Sequence, residues 1–527
     1  MQPFLAAIIN LWFYLSTICS TQAVPVVQTT SGKLIGFAVS NSTTNAYFGI
    51  PFALPPIGKL RFAAPRALYT PNVVRNTTGF SPGCIQLQAI YPIPTGESED
   101  CLYLNVWSSP ISAARPQKLK PVFVWMFGGG WNTGSASISG SLLSFLHQRF
   151  AFIYNILTNL TVDDFTIWAR AHPEIVFVSF NYRLNLFGYP DTPAITSPDT
   201  NAGLRDQRAA VEWVYRNIAG FGGDPNQIVL GGQSSGSATT SGYLYAHPHD
   251  SLIKGAILMS GQAPLQATPV PLPIPGVPSQ GYNPFPVVAE AVGCPLSGTN
   301  NNATHIRRRY LAQLDCMRQK NTTELTEAMK QLNILGFGPI VDNQTVFTVS
   351  EYKSRGRAGR FARVPLLTGT TDNEGDIFVL DRTTNTLNVT LSDFLTLSLF
   401  RCYDSWQSSF SSSAGVPTYR YRYLAQFPTL SPPPLRAWHG SEVMVLVGDM
   451  TTEPERSAMV YLQKAWSTFI VDPANGLKSQ LGWPLYKGYQ GNTLTDIFKN
   501  NSVLEHPIQT ENPTAFDSGC AALGLGL

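Results

Sequence analysis

Gly232-Gln233-Ser234-Ser235-Gly236 is the one G-x-S-x-G run in the chain. A serine in this pattern sits on a strained turn between a strand and a helix, and the flanking glycines leave room for the close strand–helix approach. The turn exposes the hydroxyl next to a helix N-terminus, which favours developing negative charge. Ile228-Val229-Leu230 before the pentad and the small-residue run after it fit that context. Acyl transfer also needs donors for an oxyanion. Gly128-Gly129-Gly130 follows an apolar run, and without side chains it can aim backbone N–H groups at a carbonyl oxygen. One such donor is worth about 3 kcal/mol in the transition state. The plain alternative is a flexible turn.

A serine needs a base, and the base needs an orienting acid. On strand–turn–helix nucleophiles the chain order is Ser, acid, His. The histidines after Ser234 are His247, His249, His305, His439 and His506. His247 and His249 fall too close to the nucleophile's own helix, and His305 lies in a polar stretch. His439 follows a Pro-rich segment and precedes a helical one, as a loop-borne base should; His506 is the remaining alternative. For the acid, the loop after Val364-Pro365-Leu366-Leu367 offers Asp372, Glu374 and Asp376. Their types and spacing do not choose among them.

The elements that must hold these residues are legible as apolar runs. Residues 120–127 (KPVFVWMF), 174–183 (EIVFVSFNYR) and 254–261 (KGAILMSG) suit strands buried on both faces, and 363–376 (RVPLLTGTTDNEGD) reads as a strand entering an acidic loop. Residues 204–218 (LRDQRAAVEWVYRNI) carry apolar side chains at helical spacing and stop at FGGDP. Strands alternating with helices predict a mostly parallel sheet covered on both faces, an α/β fold. Residues 264–286 are proline-rich and read as an extended surface loop. Residues 299–323 read as an exposed polar excursion. There is no internal repeat.

Charged residues are 13% and apolar ones 44% of 527 residues, the balance of a folded enzyme rather than a disordered chain. The net charge of +3 is dispersed, and Arg307-Arg308-Arg309 reads as the solvated face of a helix, so no nucleic-acid partner is expected. Residues 1–23 form an apolar run ending in Thr21-Gln22-Ala23, which reads as a cleaved signal peptide, although the usual basic start is missing. The expected product is a secreted, extracellular chain of residues 24–527 with no stable membrane insertion.

Six cysteines remain after position 23, without a C-x-x-C pair or an H-E-x-x-H run, so no zinc or other metal site is expected. Their spacing leaves the pairing open. Glycosylation sequons begin at Asn41, Asn76, Asn159, Asn302, Asn321, Asn343, Asn388 and Asn500. Eight of them on an exported chain point to a glycoprotein.

Longer blocks carry a family resemblance. Residues 49–65 (GIPFALPPIGKLRFAAP), 98–107 (SEDCLYLNVW), 181–190 (NYRLNLFGYP), 201–225 (NAGLRDQRAAVEWVYRNIAGFGGDP) and 255–262 (GAILMSGQ) occur in order. Together they resemble the type-B carboxylesterases, the group that also holds cholinesterases, fungal lipases and neuroligins. The resemblance implies one α/β-hydrolase domain over 24–527, a large mixed, mostly parallel sheet flanked by helices. It implies a secreted serine carboxylesterase that works through an acyl-enzyme without a cofactor. It selects Ser234, Glu374 and His439 as catalytic triad and Gly129, Gly130 and Ser235 as oxyanion donors. Gln233, Ser260 and Glu442 would be polar positions beside the triad. It also implies disulfides Cys84–Cys101 and Cys294–Cys316, with Cys402–Cys520 as a third.

Three residues depart from the family pattern: Gln233 where many members have Glu, Phe127 where His or Tyr is frequent, and Ser235 in place of Ala. Ile377 replaces an aromatic ring of the cholinesterases, and the Cys84–Cys101 segment has no tryptophan, so a quaternary ammonium substrate would lack its π faces. Residues 85–100 are short for a lipase flap and mix Pro, Gly and acids, which favours soluble esters. Trp131 and Phe378 are candidates for the substrate pocket, with an ordinary core role as the alternative. A lipase or sterol esterase of the same mechanism, and a non-catalytic adhesion protein of the same fold, are the rival readings. The small-molecule or lipid ester itself and the oligomeric state lie beyond the sequence.

Overall fold

A computed structural model describes residues 24–40, 42–86, 93, 95–110, 118–137, 164–268, 283–298, 302–334, 336–381, 383–448 and 450–527. The expected signal peptide, the sequons at Asn41 and Asn159, and residues 87–92 and 94 of the Cys84–Cys101 segment lie outside these.

Eleven strands form the central sheet: β1 (Phe37–Ala38), β2 (Asn45–Pro51), β3 (Tyr103–Ser108), β4 (Lys120–Met126), β5 (Val176–Phe180), β6 (Gly223–Gln233), β7 (Gly255–Met259), β8 (Leu366–Thr371), β9 (Thr418–Tyr423), β10 (Leu494–Ile497) and β11 (Ile508–Glu511). Their spatial order is β11-β10-β9-β8-β7-β6-β4-β5-β3-β2-β1. The stretch from β10 to β5 is parallel, and both margins are antiparallel. This is the α/β-hydrolase sheet expected above. Val122–Met126 of β4 and Val176–Phe180 of β5 are buried without interruption. A parallel sheet is covered by its crossover helices on both faces, which is why these strands read as continuous apolar runs.

Helix α1 (Ala202–Asn217) packs Leu204, Val211, Trp213 and Val214 inward and runs into a 3-10 turn, Ile218–Phe221, that ends at Gly222 with φ 83°. Helix α2 (Ser235–Ala246) starts directly after β6, and its small side chains let it lie close to the sheet. Five adjacent parallel strands, β4, β6, β7, β8 and β9, point their carboxyl ends to one edge. Open α/β sheets present ligand sites at that edge.

Within the expected polar excursion, Ala303–Gln319 is a largely exposed helix that buries Gln313, Leu314 and Met317 and is tied down by Cys294–Cys316. Its Arg307 and Arg308 are exposed. The segment from Pro264 starts inward, since Ala263–Ala267 is a buried 3-10 turn stabilised by packing on α2; residues 269–282 lie outside the described residues.

Strand β9 (TYRYRY) carries no apolar run, yet five of its six residues are buried. Arg420 is fully buried because Asp404 takes its Nε at 2.7 Å and Asp517 takes Nη1 and Nη2 at 2.7 and 2.9 Å. Asp404 belongs to helix α3 (Cys402–Ser413), and Asp517 lies near the C-terminus, where Cys520 is bonded to Cys402. The third disulfide joins Cys84 to Cys101. Among the described residues no helix is long and apolar enough to cross a membrane.

Candidate active site

Ser234 joins β6 to α2 at φ 57° and ψ −127°, a conformation that L side chains rarely adopt. Its N–H donates to the Met259 carbonyl of β7 at 2.9 Å, which anchors the turn. The glycines of the pentad are required by contact. A Cβ at Gly236 would stand 2.1 Å from the Met126 carbonyl oxygen, and one at Gly232 would stand 2.5 Å from the Gly236 carbonyl carbon. The nucleophile's helix and the end of β4 therefore touch backbone to backbone.

The glycine loop leaves β4 beside this turn. A Cβ at Gly128 would be 2.9 Å from the Ser234 Cβ, and Gly129 and Gly130 adopt φ 107° and 62°. Among the described residues, the N–H groups of Gly129, Gly130 and Ser235 have no acceptor. These three N–H groups belong to the glycine loop and to the residue after Ser234, and an oxyanion needs donors of this kind. Trp131 is buried, its indole donates to Thr239 at 3.1 Å and its backbone N–H reaches the Ser235 hydroxyl at 3.4 Å. That second bond gives the departure at Ser235 a structural use. Phe127 is buried in a stack on Tyr182, whose hydroxyl donates to the Phe127 carbonyl at 2.7 Å and steadies the loop.

The three acids after β8 have separate partners. Asp372 pairs with Arg422 at 2.7 Å, and Asp376 pairs with Arg436 at 2.7 Å. Glu374, fully buried, accepts the Thr371 N–H at 2.7 Å and stands 2.5 Å from Nδ1 of His439. Of the five histidines, His439 is the one on this acid. His247 packs on Tyr243 instead, and burial pushes it down to about 4. Phe378 and Phe400 hold the His439 ring at centroid distances of 5.2 and 4.8 Å. Phe378 thus packs on the His439 ring. Phe400 went unnoticed in the sequence, and only its distance in space identifies it.

Ser260, at the end of β7, donates to Glu442 at 3.1 Å, and both are fully buried. The other Glu442 oxygen has no partner among the described residues. Burial, and then the charge of Glu374, push the Glu442 carboxyl up to about 8. Gln233 touches His439 directly: its amide nitrogen is 3.1 Å from Nε2. The Ser234 hydroxyl makes no hydrogen bond among the described residues. No cluster of metal-ligating side chains is present among them either.

A sequence model of the carboxylesterase family matches residues 23–389. The chain belongs to the carboxylesterase family. Its relatives include a chlorogenic acid esterase of Aspergillus niger, 32% identical over 86% of this chain and 83% of that protein. Secreted lipase 5 of Gibberella zeae is 30% identical over 88% of this chain and 90% of its own. Lipase 2 of Geotrichum candidum is 30% identical over 66% of this chain and 62% of its own. This carboxylesterase is an ester hydrolase.

Proposed function

We propose that this carboxylesterase is a secreted serine esterase in which Ser234 attacks the ester, His439 moves the proton and Glu374 orients the imidazole. The carrying observation is the 2.5 Å contact of Glu374 with Nδ1 of His439 beside the strained Ser234 turn. With Nδ1–H committed to the carboxylate, Nε2 is left with the lone pair that a general base needs. It takes the Ser234 proton as Oγ bonds the ester carbonyl carbon. The tetrahedral oxyanion is held by the N–H groups of Gly129, Gly130 and Ser235. The imidazolium returns the proton to the departing alcohol. Water then attacks the acyl-enzyme with the same base.

Esters of short and medium acyl chain are the proposed substrates, supported by the short, Pro- and Gly-containing segment 85–100 and by the relative named for chlorogenic acid. The two relatives named as lipases favour the second reading, long-chain lipid esters. Export is supported by the apolar residues 1–23, three disulfides and a relative named as secreted. The test is a p-nitrophenyl ester series from acetate to palmitate with Ser234→Ala as control. Activity that declines beyond medium chains and vanishes in the variant is expected. A maximum at long chains would select the lipase reading. A wild type silent at every length and inert to a serine-directed phosphonate would point to a binding protein.

A further inference from the structure

The nitrogen that must take the serine's proton is already occupied. Nε2 of His439 lies 3.1 Å from the Gln233 amide nitrogen, while the Ser234 hydroxyl makes no hydrogen bond among the described residues. Glu374 at Nδ1 decides the sense of this contact. A carboxylate has to face an N–H, so in the neutral ring Nδ1 carries the hydrogen and Nε2 is an acceptor. The Gln233 amide therefore donates to the lone pair that the mechanism uses. Turning the amide over would set oxygen against lone pair. The same side chain lies along the glycine loop: a Cβ at Gly128 would be 2.9 Å from Gln233 Oε1 and 2.9 Å from Ser234 Cβ. It thus fills the space between base, nucleophile and oxyanion loop, where an ester carbonyl has to enter.

We propose that Gln233 is a positioning residue that holds the His439 imidazole in the free enzyme and yields Nε2 to Ser234 when an ester enters between the glycine loop and the base. This rests on the reading of Ser234 and His439 as nucleophile and base. A glutamine suits both states of the ring. Its N–H donates to neutral imidazole, and after rotation its oxygen accepts from Nε2–H once the Ser234 proton has moved there. A glutamate can only accept, so it would favour the protonated ring. The groups facing that ring are Glu374 at Nδ1, Gln233 at Nε2, and Phe378 and Phe400 on its faces, with Glu442 hydrogen-bonded to Ser260 beyond Glu374.

The test compares Gln233→Met and Gln233→Glu with wild type. Two quantities are measured: the second-order rate of inactivation by a serine-directed phosphonate, and kcat and KM for p-nitrophenyl butyrate across pH. Without the donor, Gln233→Met leaves Nε2 free. Its phosphonate reactivity is expected to rise about two- to tenfold, the worth of one hydrogen bond. Gln233→Glu, nearly the same shape, is expected to move the acid limb of the kcat/KM profile upward by about one pH unit. Unchanged or lower phosphonate reactivity in Gln233→Met, or an unmoved acid limb in Gln233→Glu, would overturn the proposal. Ser234→Ala is assayed alongside: if it keeps ester hydrolysis and phosphonate labelling, the nucleophile assignment fails, and not the role of Gln233 alone.

Discussion

Arg436 grips Asp376 through three N–H groups: its backbone N–H at 2.9 Å, Nε at 3.1 Å and Nη2 at 2.7 Å. Asp376 is two residues past Glu374, and Arg436 is three before His439. The Asn373 N–H adds a bond to the Ala437 carbonyl at 2.9 Å. The loop of Glu374 is thus latched, on either side of that residue, to the segment just before His439.

Loosening that latch should show in turnover. Asp376 is fully buried, so Asp376→Asn leaves the partly buried Arg436 with the exposed Asp393 as its remaining counter-charge and lets the two loops shift. A displacement on the scale of an ångström at a reacting group costs on the order of 10²-fold in rate. The expected outcome in p-nitrophenyl butyrate assays is a kcat lowered by about that factor with KM little changed.

Glu442 predicts a pH-dependent stability. Its carboxyl is raised from 4.5 to about 8 in the folded state. Between those values the folded chain keeps a proton that the unfolded chain has released, so stability falls as pH rises. The contribution is fully present below about 4.5 and is lost as pH passes through about 8. Calorimetry of Glu442→Gln, which stays neutral throughout, should give a Tm that declines less than that of wild type across this window.

Arg420 has no solvent to fall back on. Asp517→Asn would remove the carboxylate that takes two of its N–H groups and leave a buried, underpaired charge. Breaking such a pair costs about 3–5 kcal/mol. Denaturant unfolding of Asp517→Asn should show a loss of that order. Replacing Cys402 and Cys520 together should add to it, because their bond closes a separation of 118 residues and restricts the unfolded chain.

Asn76, Asn302, Asn321, Asn343, Asn388 and Asn500 are all exposed, so each sequon can accept a glycan without disturbing the core. Chain secreted from a eukaryotic host should lose apparent mass on peptide-N-glycosidase treatment, which hydrolyses the Asn side-chain amide, and mass spectrometry of the deglycosylated peptides should find Asp at the occupied positions. Undiminished mass would remove the glycoprotein reading.

The residues 228–236 carried their own structure: an apolar run, then glycines at the two positions where a Cβ would strike Met126 or Gly236 backbone. Strands β4 to β8 and helix α1 were likewise legible, because burial on both faces or on one helical stripe writes a local period into the chain. Strand β9 was not legible. Its Arg420 is buried only because Asp404 and Asp517, 16 residues before it and 97 after it, arrive to neutralise it. The choice among Asp372, Glu374 and Asp376 had the same cause. Spacing places all three in one loop, and the partners that separate them, Arg422, His439 and Arg436, come from β9 and the loop after it. By itself the sequence determined the nucleophile's turn, the buried strands and the family. The family resemblance pointed to Glu374, the tertiary structure showed the contact that joins it to His439, and it alone showed that Gln233 stands at Nε2, since hydrogen bonds between residues 65 and 206 apart leave no periodic trace along the chain.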